Sequence, residues 1–518
     1  MNARLEADEA SLAQVYAAID ALVQYAMRRL ELDVRDADWA RNRIFELFGL
    51  ESYAPTGATS DDWLPDEPLT RLCEAAVKTG LCMQDEQADY ADAVMGILSM
   101  PPAALQNRFG DLERDRGGMA AMRWLYDYCV ANNYVKQAVL ERNPRFDAHG
   151  LTVTINLAKP EFTTMTKAAA SNAVAGGYPQ CTICHANEGF AGRARRTLRT
   201  VPVQLGGEPW FWQFSPYGYF DQHGICVNMR HIPMRVDRDT FGHLLDFVDR
   251  FPGYFLGCNA ALPRIGGSVL AHDHYQGGGG TLPMHHAKAW KAMWLPDCPD
   301  ARVEILDWPG TAVRVVSRSR SSIIAISEII REAWIGYTNL SLGIVCEDGD
   351  GKRSALSPSV IVTERGYEMS LILRNNGVSA ALPEGIFHAH PEFWPIKQEP
   401  IGLIEAQGLF ILPGRLIRQL GEIEDALVSG GALPRSVCEF ELEWRELTAR
   451  LGAERGAGRG HDRASVRAAI RDELGSICVR ILGNTAVFKD KSRTADFLRG
   501  SGLCDWPEKQ AAGAACHD

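Results

Sequence analysis

The feature that most restricts the fold of this chain is a change of period at Asn143-Pro144. Before it, apolar residues recur at three- and four-residue steps, as in Leu12, Val15, Tyr16, Ile19, Leu22, Val23, Ala26 and Leu30. That spacing lines one face of a helix, with Ser11 placed to cap the first turn. Ile44, Phe45, Leu47 and Phe48 mark a second helix and residues 69–79 a third that stops at Gly80. Met122, Leu125, Tyr126, Cys129 and Tyr134 belong to a longer one. None offers a catalytic grouping, so residues 1–142 read as a helical region packed on the unit that follows. After the boundary the period falls to two. Residues 151–157, LTVTINL, alternate and are rich in β-branched side chains, the mark of a strand. Residues 200–205, 210–214, 224–228, 254–258 and 268–276 read the same way, around a helix over 238–251 with Asp237 or Asp239 near its start.

Residues 143–295 are therefore expected to form an α+β sheet unit, and residues 296–416 to repeat it. Strands are predicted at 302–306 and 312–317, a helix at 322–334 and strands at 360–363 and 369–374, leading to His388-Ala389-His390. That second H-x-H suggests duplication of an antiparallel unit. Helical periodicity returns over 417–518, with helices at 416–427, 439–451 and 464–482. GAERGAGRG at 452–460 reads as a loop, and the tail after Cys504 as frayed.

Chemistry concentrates in residues 265–280, IGGSVLAHDHYQGGGG. If this stretch is extended, His272, His274 and Gln276 share one face, and Asp273 and Tyr275 the other. Glycines on both sides let an anionic ligand approach the backbone, where N–H groups and the Ser268 hydroxyl can hold phosphate oxygens. A neutral imidazole attacks phosphorus well and forms an N–P bond labile enough to be transferred again. The grouping reads as a covalent phosphoryl or nucleotidyl transfer site, in which Gln276 can donate from its amide to a phosphate oxygen.

Cys181-Thr182-Ile183-Cys184 has the spacing with which two thiolates grip one zinc ion. With His185 it also spells the attachment signature of c-type haem, and a redox dithiol or chance spacing among thirteen cysteines are the other readings. An acidic start without an apolar core, and cysteines scattered along the chain, lead us to expect a soluble cytoplasmic protein with reduced thiols. Net charge is −11, from 54 basic and 65 acidic residues. This argues against broad binding to nucleic acid or anionic membrane. A local cluster of Arg193, Arg195, Arg196 and Arg199 is the candidate source of positive charge.

The segments GGSVLAHDHYQGG, SPYGYFDQHGICVNMRHIPM and NPRFDAHGLTVTINLAKPEF resemble the type 2 galactose-1-phosphate uridylyltransferases of the histidine-triad superfamily. The likeness runs from Ala21-Leu22-Val23 to about Leu416. It implies duplicated histidine-triad-like sheet units between helical ends. It also implies transfer of UMP from UDP-glucose to galactose 1-phosphate, giving UDP-galactose, through a UMP-histidine. The resemblance completes a structural zinc site with His231 and His272 beside Cys181 and Cys184, which leaves His274 as nucleophile. It places Asn259 near the nucleotide and Arg142 near the phosphates, gives Glu405 the hexose hydroxyls, and matches His388 and His390 to a pair that can hold a second metal. No redox or nucleotide cofactor is implied, and a homodimer is an expectation. Asp273 stands where the better-known pattern has proline, and is expected to be structural. Two rival readings are a dinucleoside polyphosphate hydrolase or phosphorylase of the same superfamily, and a non-catalytic nucleotide-sugar-binding protein.

Overall fold

Alternating side chains after the Asn143-Pro144 boundary build a large antiparallel sheet, because each strand has one face to bury against helices. The structure, a computed structural model, describes residues 9–157, 177–266, 269–349, 351–455 and 461–507. Eleven strands form the sheet. The first half supplies β3 (Val201–Leu205), β4 (Glu208–Phe214), β5 (Gly224–Asn228), β6 (Tyr254–Gly257) and β7 (His274–Gly279). From the second half come β8 (Ala289–Leu295), β9 (Cys298–Leu306), β10 (Ala312–Ser317), β13 (Ser354–Thr363) and β14 (Gly366–Asn375), with β16 (Cys504–Asp505) added at the edge. The order is β16-β8-β9-β10-β14-β13-β6-β7-β5-β4-β3. Each half is a three-strand meander, a helix and a hairpin, and the halves meet where β13 pairs antiparallel with β6 at Ser359↔Gly257. The fold is thus α+β with two topologically equivalent units in one continuous sheet.

Four other features were read differently from the sequence. The strand at 151–157 is β2 (Leu151–Asn156), which lies outside the large sheet. It pairs antiparallel with β1 (Arg145–Ala148) and parallel with β15 (Leu409–Pro413), more than 250 residues away. A small hairpin, β11 (Glu347–Asp348) and β12 (Gly351–Lys352), completes the strands among the described residues. Ser11 lies inside the helix Glu9–Arg29, so it does not cap it. The expected loop at 452–460 begins inside the helix Glu441–Arg455, and residues 456–460 lie outside the described residues. Past Cys504 the chain does not fray at once, since Cys504 and Asp505 pair with Trp294 and Met293 of β8.

Helices Arg238–Arg250 and Arg320–Ile335 occupy equivalent places and pack on one face of the sheet. Asp237 caps the first by accepting from the Thr240 N–H at 3.2 Å, as its position near the helix start suggested. The N-terminal helices share this core through Tyr25, Met122 and Leu125, among others. The opposite face of the second half is covered by the small sheet and the C-terminal helices, in a core that includes Ile372, Phe410, Leu474 and Ile477. Two of the four clustered arginines serve this packing. Arg199 is buried and donates to the carbonyls of Met100, Arg196 and Leu198, while Arg196 pairs with Asp92 at 2.9 Å.

Candidate active site

β7 begins at His274, five residues before Gly279, which pairs with Tyr254 of β6. Its two faces are distinguishable from their contacts. Tyr275 stacks on Trp210 with ring centroids 4.8 Å apart and meets His243 of the flanking helix at 2.9 Å. His274 and Gln276 therefore project from the other face. His272 does not share that strand, contrary to the extended reading of 268–276. It sits in the turn before β7, where Asp273 N–H donates to the Ile232 carbonyl and the Asp273 carbonyl accepts from Asn228.

The turn has a chemical consequence. The His274 Nδ1–H donates to the His272 carbonyl at 2.8 Å. This fixes the tautomer and leaves Nε2 with its lone pair. Burial holds His274 below the usual imidazole range, so it is neutral at pH 7. Gln276, opposite Ile225 of β5 and Gly257 of β6, lies beside His223. Burial pushes His223 down to about 3, partly offset by the Gln276 amide. Asp273 is buried on the far side and is pushed up to about 7 by that burial.

The glycines after Gln276 have a packing reason. A Cβ on Gly277 would lie 2.0 Å from the Phe255 carbonyl oxygen, and one on Gly278 2.5 Å from the Phe220 ring. They let β6 and the 219–222 segment close onto the strand. Ser268, with Gly267, lies outside the described residues.

Cys181, Cys184, His231 and His272 converge, with one ligand atom from each lying within 4.8 Å of all the others. Cys181 Sγ is 3.3 Å from Cys184 Sγ and 3.3 Å from His272 Nδ1, and Cys184 Sγ is 3.2 Å from His231 Nδ1. A tetrahedral zinc ion with Zn–S of about 2.3 Å and Zn–N of about 2.0–2.1 Å has edges of roughly this length. The His272 Nε2–H donates to the Asn228 carbonyl at 2.8 Å, which turns Nδ1 toward the cluster. Asn187 donates to the carbonyls of Cys181 and Cys184 and so holds the turn. His185 faces Glu188 instead, at 3.5 Å. These residues fit a metal ion. His388 and His390 do not join a comparable group among the described residues: His388 Nδ1 meets the Ala389 carbonyl, and His390 Nε2 the Ile386 carbonyl.

Asn259 and Glu405 come together from the two halves. The Leu403 N–H donates to Asn259 Oδ1 at 2.8 Å, and the Gly402 N–H to Glu405 Oε2 at 2.9 Å. Asn259 is two residues beyond Gly257, at the end of the sheet where β7 begins. Lys397 anchors Glu405 at 2.7 Å and Glu399 at 2.8 Å. All three are buried. Sequence reasoning missed Lys397 and Glu399, which sit in a polar run with no periodicity. Arg142 is exposed after the short helix Gln137–Leu140, and no described contact ties it to the β7 face.

The second half offers no duplicate of this site. The pairing Ser359↔Gly257 sets β14 opposite β7, with Ser370 in the place of Gln276 and Glu368 in that of His274. Glu368 is held by Arg365 at 3.0 Å and Arg314 at 3.4 Å. His388 lies beyond the end of β14, so the second H-x-H is not at the equivalent position.

A buried neutral imidazole whose second nitrogen carries the lone pair, on the strand face away from Tyr275 and next to a Cys2His2 cluster, suits covalent nucleotidyl transfer. Residues 31–233 match the family model described as galactose-1-phosphate uridyl transferase, N-terminal domain. A galactose-1-phosphate uridylyltransferase of Bifidobacterium longum subsp. longum is 66% identical over 95% of this chain and 99% of its own. Proteins of the same name from Halalkalibacterium halodurans and Caldanaerobacter subterraneus are 33% and 35% identical, covering 91% and 79% of this chain and 95% and 82% of theirs. Among solved structures, yeast Ap4A phosphorylase Apa2 has a TM-score of 0.31 at 11% identity, over 62% of this chain and 89% of that one, too loose to argue from. The chain belongs to the galactose-1-phosphate uridylyltransferase family.

Proposed function

We propose that the protein transfers UMP from UDP-glucose to galactose 1-phosphate in two displacements at His274. The Nε2 lone pair attacks the α-phosphorus, the bond to the bridging oxygen breaks, and glucose 1-phosphate leaves with that electron pair. A phosphate oxygen of galactose 1-phosphate then attacks the same phosphorus, and the N–P bond breaks to return the imidazole. Each step exchanges one phosphate linkage for another of similar energy, so no ATP is needed. The observation that carries this reading is the His274 Nδ1–H bond to the His272 carbonyl, which presents Nε2 as nucleophile.

Gln276, on the same face, donates to a non-bridging phosphate oxygen as charge builds there. Asn259 and Ser268 serve the nucleotide and its phosphates, Glu405 accepts from hexose hydroxyls, and Arg142 reaches the phosphates. Zinc held by Cys181, Cys184, His231 and His272 has a closed, structural role. Because His272 is both ligand and acceptor, fixing its ring also fixes the carbonyl that orients His274. No helix among the described residues is long and apolar enough to cross a membrane; the reading places the enzyme in the cytoplasm, as a homodimer.

The test is intact-mass measurement with UDP-glucose alone. A UMP adduct that is acid-labile, as an N–P bond is, is expected on the protein and absent from His274→Asn. An adduct that persists in His274→Asn sinks the assignment. A water-dependent loss of UMP with no transfer to galactose 1-phosphate would instead favour a hydrolase.

A further inference from the structure

Arg374 is a buried cation with no counter-ion among the described residues. It lies on β14, one residue from its end, and is 2% exposed. Its Nη2 donates to the Ile401 carbonyl at 2.7 Å, whereas Nε and Nη1 are buried with no acceptor. No carboxylate among the described residues lies within ion-pair distance. Glu405 acts on it through space, but the Glu405 oxygens are engaged by Lys397 and the Gly402 N–H. Burial lowers the guanidinium only to about 10, so it stays charged at neutral pH. A buried charge left unpaired is costly, which argues for a partner that arrives with the substrate.

The surroundings say which partner. Arg374 pairs across the sheet with Ala355, and the two share a face. Ala355 packs against Ala260 and Ile265, which leads into the Gly266 turn, and Ala260 is tied down by Ser357. On the other side, Ile401 precedes the Gly402–Glu405 turn that holds Asn259. Arg374 therefore stands between the cluster of Ala260 and Ile265 on one side and the Ile401–Glu405 segment, given to the sugar, on the other.

We propose that Arg374 binds the phosphate of the hexose 1-phosphate, the group through which the sugar is joined to UMP. This rests on the transfer reading above and adds a phosphate-binding residue to it. A guanidinium offers two parallel donors to two oxygens of a phosphate, and Nε with Nη1 leaves such a pair open. Glu405, close by, is then placed for hydroxyls of a sugar whose anomeric phosphate is on Arg374.

Calorimetric titration of glucose 1-phosphate and of UMP into the intact enzyme, without turnover, tests this. Arg374→Met is expected to weaken glucose 1-phosphate by about ten-fold or more, as loss of a charge-assisted pair should, and to leave UMP within about two-fold. Arg374→Lys should recover part of the loss, since a point charge lacks the fork. Unchanged glucose 1-phosphate affinity in Arg374→Met, or equal weakening of both ligands, overturns the proposal. If neither variant folds, a crystal structure of the unaltered enzyme with glucose 1-phosphate decides. A phosphate oxygen within about 3.2 Å of Nε or Nη1 sustains it, and any other seat for the phosphate refutes it. The UMP adduct is a separate readout: an enzyme that holds glucose 1-phosphate on Arg374 and forms no adduct would refute the transfer reading alone.

Discussion

His274 and Glu405 answer to different physics, and substitutions should separate them. His274→Asn keeps hydrogen-bonding capacity but has no nucleophilic nitrogen. Turnover should drop by several orders of magnitude, beyond the roughly 10²–10⁴-fold typical of an acid–base role, as single-turnover kinetics would reveal. Glu405 calls for a gentler change than alanine. Its carboxylate receives Lys397, which is buried, at 2.7 Å and the half-buried Gly402 N–H at 2.9 Å, and truncation would leave them wanting a partner at about 1–3 kcal/mol each. Glu405→Gln keeps the shape. It should raise the KM for galactose 1-phosphate while UMP-enzyme still forms in full from UDP-glucose, and loss of the adduct would move Glu405 to the nucleotide. At this scale the sequence was most informative about side chains in dense motifs, Cys181, Cys184 and His274 among them. Arg374 was legible only as the end of the apolar strand SLILRN, because nothing local says whether a strand-terminal arginine is buried.

Among elements, the turn from Cys181 to Asn187 and the turn before β7 depend on one another. They meet through the Cys2His2 cluster, and Asn187 ties the first turn to itself. Structural zinc contributes directly to folding. Cys184→Ser should therefore lose metal and soluble yield together, with about one zinc per chain in the unaltered enzyme. Elemental analysis of active protein that found no zinc would end this reading. The same pair of turns shows where periodicity stops being a guide. Alternation correctly put His274 and Gln276 on one face, but it also ran the strand back through His272. Long-range bonds from Ile232 and Asn228 bend the chain there instead, and these come from segments some forty residues away. The parallel pairing of β2 with β15 is invisible for the same reason: each strand reads correctly alone, and its neighbour is set by tertiary packing.

For the whole molecule, duplication was legible from the repeated order of strands and helix, whereas the seam between β6 and β13, and the presence of Glu368 where β7 has His274, depended on register. Stability against pH also belongs to this scale, because groups in distant layers pull in opposite directions. His223 and His285 are buried in the sheet layer, and burial holds each down to about 3. An unfolded histidine gains its proton near pH 6.5, so these two reduce stability as the pH falls from there toward 3. Glu443, buried among the C-terminal helices, is pushed up to about 7 by burial, with Glu446 adding to the effect. Its unfolded counterpart ionises near 4.5. Between those values the folded state binds the extra proton, so this group costs stability as the pH rises from 4.5 through 7, and the cost is complete above 7. Glu443→Gln removes the carboxylate and keeps the shape. The difference in unfolding free energy between variant and parent cancels the histidines and other groups not coupled to this one. It should be near zero at pH 4.5 and grow in the variant's favour to a few kcal/mol, of order 1.4 kcal/mol per pKa unit, by pH 8. Urea denaturation at pH 4.5, 6 and 8 measures it, and a difference that does not change with pH would show that Glu443 ionises as freely in the fold as outside it.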